Sequence, residues 1–261
     1  MNVVELERRM LEIIPASVAE PWDRTGMLVG NPGDEVRGVA VALDPTCDAI
    51  AFARRVGANV LVTHHPLFLD PPTQVKPAAY ATEAVGARIW EAVKSGVSVM
   101  SFHTALDASP LAAGVLAAPL GLGLTGEVLE EVAGHPGCGY GRLCTSTGTS
   151  VGEIAEACAA SFGHAPRIWG DAHAVPSRVC LWTGAAGESP LACLAQDVDL
   201  LVCGEVKYHM ALDAAELGLC IIELGHDVSE QVHCPVLVES LQKCGVDGAA
   251  IRLMDLPANW H

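Results

Sequence analysis

Short apolar runs that each end on a polar residue, separated by stretches with helical spacing, recur along this chain and restrict its fold more than any other feature. Residues 38–43, 59–63 and 97–101 read as strands, with helices over 47–56 and 79–95 between them and an amphipathic helix over 3–14 ahead of them. Ser109-Pro110, a capping residue followed by proline at the first helical position, opens a further helix. The register weakens over 125–174, where Gly134, Gly137, Gly139 and Gly141 bracket short strand-like pieces around one helix near 151–161. It returns with strands at 179–183, 200–203 and 220–223 and helices near 207–217 and 228–244. Such alternation predicts an α/β fold, a sheet covered by helices. With 261 residues, 51 % of them hydrophobic and 18 % charged, the chain can bury a core without disulfide or metal staples, which excludes disorder as its main state.

The outer parts of the chain resemble each other. Residues 57–63 run into His64-His65-Pro66, and residues 197–203 run into Gly204-Glu205-Val206. Residues 96–102 precede His103, and 218–225 precede His226; each of these histidines is followed four residues on by a carboxylate, Asp107 or Glu230. This reads as a pseudo-repeat, against the alternative that any two β/α units share a glycine before a strand and polar residues after it. The predicted organisation is a first lobe over 1–124, a middle segment over 125–174 and a second lobe over 175–261.

Fifteen Lys and Arg against 31 Asp and Glu leave a net charge of -16, a surface that repels a phosphate backbone, so nucleic acid is a poor fit as partner. The ten cysteines include no C-x-x-C pair and most lie in apolar runs, as buried thiols of a reducing compartment do. The first residues lack a cationic segment followed by an apolar one, and no run approaches the ~18 uncharged apolar residues of a membrane span. The expectation is a cytoplasmic protein that does not enter a membrane.

Chemistry concentrates at the carboxyl ends of the predicted strands, where ligands bind in open α/β sheets. His64 and His65 follow one strand, His103 and Asp107 a second, Glu205 and His209 a third, His226 and Glu230 a fourth. Imidazole and carboxylate donors suit Zn, Fe, Mn, Co or Ni, and six of these donors, at three of the strand ends, exceed one tetrahedral ion, which implies two divalent metal ions. Neighbouring side chains on an extended chain point opposite ways, so His64 and His65 either serve two ions or bend through a turn. Neither a Gly-x-x-x-x-Gly-Lys-Ser/Thr loop nor a Gly-x-Gly-x-x-Gly fingerprint accompanies these residues. Gly137-x-Gly139-x-Gly141-Arg142 is either a phosphate cradle or a tight turn. Trp22-Asp23 either lines a cavity or plugs a capped turn, and Lys207 is a phosphate contact or an exposed charge.

Five ordered motifs carry a family resemblance: Trp22-Asp23-Arg24-Thr25-Gly26-Met27-Leu28-Val29-Gly30, Val62-Thr63-His64-His65-Pro66-Leu67-Phe68, Phe102-His103-Thr104-Ala105-Leu106-Asp107, Gly204-Glu205-Val206-Lys207-Tyr208-His209 and Gly225-His226-Asp227-Val228-Ser229-Glu230. The chain resembles, from its first helix to about Cys244, the Ngg-interacting-factor-three-like proteins, also called GTP cyclohydrolase I type 2 or dinuclear metal centre proteins. The resemblance implies two similar α/β lobes with mixed sheets flanked by helices and a dinuclear metal site between them. It implies a toroidal homo-hexamer, a trimer of dimers, and assigns His64, His65, His103, Asp107, His226 and Glu230 to the metals, with His209 nearby. Two departures stand out: Glu205 where the family shows Asp, and Asp227 where an aromatic is common. The long central insertion of some relatives is absent.

Two divalent ions against two carboxylates make a positive island in an acidic chain, which favours an anionic small molecule such as a nucleotide. The expected activity is a hydrolase, GTP cyclohydrolase I type 2-like, opening a purine ring with a metal-bridging hydroxide while His209 or Glu205 shuttles the proton. The competing expectation is a metal carrier or a hexameric interaction scaffold without turnover.

Overall fold

A computed structural model describes residues 1–146 and 148–256. Among them, eleven strands form two sheets: β1 (Gly26–Val29), β2 (Val39–Ala42), β3 (Val60–Thr63), β4 (Ser98–Ser101), β5 (Gly123–Glu131), β6 (Gly139–Thr145), β7 (Arg167–Trp169), β8 (Arg178–Leu181), β9 (Leu200–Cys203), β10 (Cys220–Glu223) and β11 (Ile251–Leu253). The first sheet has the order β1-β4-β3-β2-β11 and the second β5-β6-β8-β9-β10-β7. Both are mixed. The chain separates accordingly into two units, Met1–Leu106 with the stretch from His233 onward, and Asp107–Val232. The expected boundaries at 124/125 and 174/175 fall inside the second unit. Residues 125–174 supply strands to the same sheet as β8–β10, and the last stretch of chain returns β11 to pair with β2. Of the expected lobe 175–261, residues 257–261 lie outside the described ones.

In the first unit β2, β3 and β4 run parallel, and β1 closes the edge antiparallel to β4. Every residue of β2, β3 and β4 is buried, which is why these strands read as unbroken apolar runs rather than as an alternation. Ala40, Ala42, Leu61 and Val99 pack on one face against Ile50, Ala53 and Ala92 of the helices Cys47–Arg55 and Ala84–Ser95. On the other side the helix His233–Lys243 packs against β2 and against Val3–Ile13. Local chemistry sets the helix ends. Thr46 Oγ1 accepts from the amide of Ala49 at 3.1 Å, and Gly96 at φ +64° ends the helix Ala84–Ser95.

The second unit repeats this core. Strands β8, β9 and β10 run parallel, and β7 closes the edge antiparallel to β10, so β7-β10-β9-β8 has the order and directions of β1-β4-β3-β2. Val179, Leu181, Leu200, Val202 and Ile222 face the helix Val151–Phe162, whose Ser150 and Glu153 form a capping box. Cys180, Leu201, Cys203 and Ile221 face Cys193 of the helix Ser189–Ala195 and Ala211 and Ala214 of the helix Tyr208–Glu216. An antiparallel hairpin of β5 and β6 extends the sheet beyond β8.

Three expected helices differ. The one over 79–95 begins at Ala84, because Glu83 is drawn into hydrogen bonds with the amide and hydroxyl of Thr73. Ser109-Pro110 opens a single 3-10 turn, Pro110–Ala112, with Ser109 Oγ accepting from the Leu111 amide at 3.2 Å. The helix expected over 228–244 is two, His226–Glu230 and His233–Lys243. Pro235 has no N–H to offer the carbonyl four residues back and its ring collides with that carbonyl, so no helix runs through Gln231 and restarts only with Pro235 in its first turn. Among the described residues no helix is long and apolar enough to cross a membrane.

Candidate metal centre

In the first unit, β3 and β4 deliver three imidazoles to one place. After Thr63 the chain bends: the Thr63 hydroxyl donates to the carbonyl of His65 at 2.7 Å, and the amides of His64 and His65 donate to Ala42 and Leu43. The bend brings both rings to one side. His64 and His65 have centroids 5.1 Å apart and lie 5.3 and 5.4 Å from His103, which follows β4. Nitrogens of the three rings fall within 4.8 Å of one another.

Each ring is held through the same nitrogen. His64, fully buried, has Nδ1 3.2 Å from the carbonyl of Phe102. His65 Nδ1 is 2.8 Å from Asp44 Oδ1, and His103 Nδ1 is 3.1 Å from Asp23 Oδ1. A carbonyl or carboxylate only accepts, so Nδ1 carries a proton in all three and, in the neutral ring, Nε2 holds the lone pair. Metal-binding imidazoles are oriented in just this way by an acceptor behind the ring. Asp23 also takes the Thr104 amide on Oδ2 at 3.0 Å and the Thr104 hydroxyl at 2.5 Å, and its side chain has no exposed surface. Burial pushes the Asp23 carboxyl up, but the bonds from His103 and Thr104 outweigh it and hold the group at about 2. Trp22 stands edge-on to His103 with ring centroids 5.9 Å apart and remains half exposed.

Sequence reasoning missed two members of this group. His233, buried in the first turn of His233–Lys243, lies 4.7 Å ring to ring from His64. Pro235, a marker of a helix start two residues on, is the signal that could have exposed it. Asp44, the partner of His65, follows β2 as a polar residue at a strand end, the rule used for the other candidates.

In the second unit His226 and Glu230 lie one turn apart on the helix His226–Glu230, with His226 Nε2 3.0 Å from Glu230 Oε2. His226 Nδ1 is 3.1 Å from Glu205 Oε1. Glu230 is buried, whereas Glu205 and His209 are exposed. Buried Ser229 ties the turn together: its hydroxyl donates to the His226 carbonyl at 2.8 Å and accepts from the Gly184 amide at 2.9 Å. Gly184, at φ +66°, has no room for a Cβ, which would collide with Glu230 Oε1. Asp107 Oδ1 accepts from the Thr183 hydroxyl at 3.3 Å.

Arg142 resolves one alternative. Its guanidinium donates to the carbonyls of Asp107, Ala108 and Ser109, at 3.4, 3.0 and 2.8 Å, and to that of Gly137 at 3.2 Å. It is buried against main chain and fixes the segment that carries Asp107; Gly137, at positive φ, lies in the turn ahead of β6, and Gly141, also at positive φ, precedes Arg142 within that strand. Lys207, exposed, is the residue preceding the helix Tyr208–Glu216, and His209 in that helix's first turn stands against Tyr208 with ring centroids 5.2 Å apart.

Two mixed α/β units with imidazoles and carboxylates at matching strand ends, the rings aimed by acceptors behind them, define a protein with the donor chemistry for borderline divalent ions. The chain belongs to the Duf34/NIF3 (NGG1p interacting factor 3) family, whose model matches residues 1–257. It is 28 % identical over 249 residues to a Clostridium perfringens protein named GTP cyclohydrolase 1 type 2 homolog, covering 93 % of this chain and 88 % of that one. A Streptomyces coelicolor protein of the same name is 30 % identical over 228 residues, 84 % of this chain and 78 % of the relative. The fold matches that of a Bacillus cereus protein related to NIF3 with a TM-score of 0.87 at 20 % identity, covering 99 % and 98 % of the two chains. It also matches reduced HcgD from Methanocaldococcus jannaschii, with a TM-score of 0.79 at 23 % identity and 98 % of each chain covered.

Proposed function

We propose that this chain is a metal-dependent hydrolase acting on a nucleotide, in the sense of the GTP cyclohydrolase 1 type 2 name its relatives carry, and that His64, His65, His103, Asp107, His226 and Glu230 together hold two divalent ions. The observation that carries the reading is the set of three strand-end imidazoles, each with Nδ1 committed to an acceptor. Divalent ions, when bound, supply Lewis acidity and a water that ionises near neutral pH.

The chain's own residues do the rest. Asp44, Asp23 and the Phe102 carbonyl keep Nε2 of the three rings as the donor atom. Ser229 and Gly184 seat Glu230, and Arg142 fixes the backbone beneath Asp107. Glu205, held at one oxygen by His226 and exposed at the end of β9, and His209 in the adjoining first turn are the groups that move protons. The proposed assembly is the homo-hexamer.

Protein purified without chelator, incubated with GTP and other nucleotides, tests this. Turnover that depends on metal and is lost in His65→Ala supports the hydrolase. Readily exchanged metal without turnover replaces it with a carrier, and a tightly held pair without turnover with a scaffold.

A further inference from the structure

Beside Glu205 and His226, the carboxyl ends of β9 and β10 carry polar and aromatic side chains that metal ligation leaves unused. Glu223, the last residue of β10, is only 7 % exposed and lies opposite Cys203 in the parallel register with β9. From β7, Trp169 donates its indole N–H to Glu223 Oε2 at 3.3 Å, and Arg167, directly opposite in the antiparallel register, approaches Oε1 at 3.5 Å. The Arg167 side chain is itself 76 % exposed. Tyr208, at the start of the helix Tyr208–Glu216, stands edge-on to Trp169 with ring centroids 5.6 Å apart and is 61 % exposed.

A carboxylate has about four acceptor positions, and one nearly withdrawn from water ordinarily fills them with short bonds of about 2.7–2.9 Å. Among the described residues one indole N–H and one outlying guanidinium reach it, both at longer range. The carboxylate therefore has acceptor capacity to spare next to two aromatic rings, one of them largely in solvent. A planar heterocycle with two adjacent N–H donors on one edge and π faces for stacking satisfies both features. The N1–H and 2-amino group of guanine form such a pair, whereas the adenine edge sets an acceptor beside its donor and repels a carboxylate.

We propose that Glu223, Trp169 and Tyr208 form the base-recognition site for a guanine nucleotide. The inference rests on the nucleotide reading above and adds the residues that choose the base. Glu223 takes the donor edge, Tyr208, the more exposed ring, supplies the stacking face with Trp169 edge-on beside it, and Arg167 gives up its distant contact with Oε1. Two residues of chain, Leu224 and Gly225, separate Glu223 from His226, so their Cα atoms lie within about 10 Å of each other at ~3.4 Å per extended residue.

Calorimetric titration of the protein as purified with GMP, IMP, AMP and argininamide decides the matter. GMP is expected to bind about tenfold or more tighter than IMP, which lacks the 2-amino donor, and than AMP, since a bond to a charged acceptor contributes at that level. Glu223→Gln should weaken GMP by about the same factor and leave AMP unchanged. Tyr208→Ala, a substitution at an exposed position that spares the fold, should weaken all three nucleotides and decides the case if Glu223→Gln does not fold. Equal binding of GMP and AMP, or intact GMP binding in a folded Glu223→Gln, overturns the base site and leaves the nucleotide reading standing. Argininamide binding as tightly as GMP overturns it in favour of a guanidinium site. Failure of every nucleotide to bind removes both readings.

Discussion

Asp23 stands on a loop ahead of β1, yet its side chain is closed to solvent and each of its oxygens is committed, one to His103 and one to Thr104. Replacing it with Asn keeps the shape but removes the acceptor charge that orients the imidazole. Asp23→Asn is expected to lower metal affinity about 10- to 100-fold, measured by competition with a chromogenic chelator. The same carboxyl, at about 2 against its ordinary 3.8, gives stability that is complete above pH 4 and lost as pH falls toward 2. Urea unfolding of chelator-treated protein should show a loss on the order of 2 kcal/mol across that window in the wild type and a flatter profile in Asp23→Asn. Gly184→Ala should cost about 1–3 kcal/mol and displace Glu230, because the position combines positive φ with a carboxylate where the methyl group would go.

At the scale of elements, the three parallel strands of each unit were legible because burial on both faces makes them continuous apolar runs. β5 was not. It is the exposed edge strand of its sheet, its sequence GLTGEVLEE is largely polar, and a bulge between Leu124 and Val128 breaks the alternation. β1, β7 and β11, of three or four residues, are edge strands that exist because a buried neighbour, β4, β10 or β2, offers them a ladder. Arg142 is the side chain on which the segment 107–109 depends. Arg142→Met, similar in length but without donors, removes those bonds and should destabilise the protein by about 2–4 kcal/mol in urea unfolding. The cysteines divide by element as well. Cys47 and Cys138 are partly exposed and the other eight are buried within helices and strands or at their ends. Burial pushes the Cys144 thiol up to about 11 and Cys158 to about 12. A disulfide reagent at pH 8 should therefore label Cys47 and Cys138 first, and the remainder only on unfolding, as read by mass spectrometry.

For the whole molecule, the proposed dinuclear centre gives a stoichiometry. Elemental analysis of chelator-free protein should find about two transition-metal ions per chain, and Asp107→Ala combined with Glu230→Ala should remove them; one ion or none in the wild type contradicts the proposal. Light scattering at micromolar concentration should report the hexamer, and a stable monomer rules it out.

The sequence alone determined the α/β class, the parallel strand cores and the strand-end positions of His64, His65, His103, Asp107, His226 and Glu230, because burial and the polar termination of strands are written in local order. It did not determine which strands share a sheet, since β11 reaches β2 from more than two hundred residues away. Nor did it reveal that Asp23, Asp44 and the Phe102 carbonyl stand behind three imidazoles, that His233 lies against His64, or that Arg142 is consumed by main-chain carbonyls. Those pairings join residues distant in sequence, and the hydrogen bonds that select an imidazole tautomer exist only once the chain has brought donor and acceptor together.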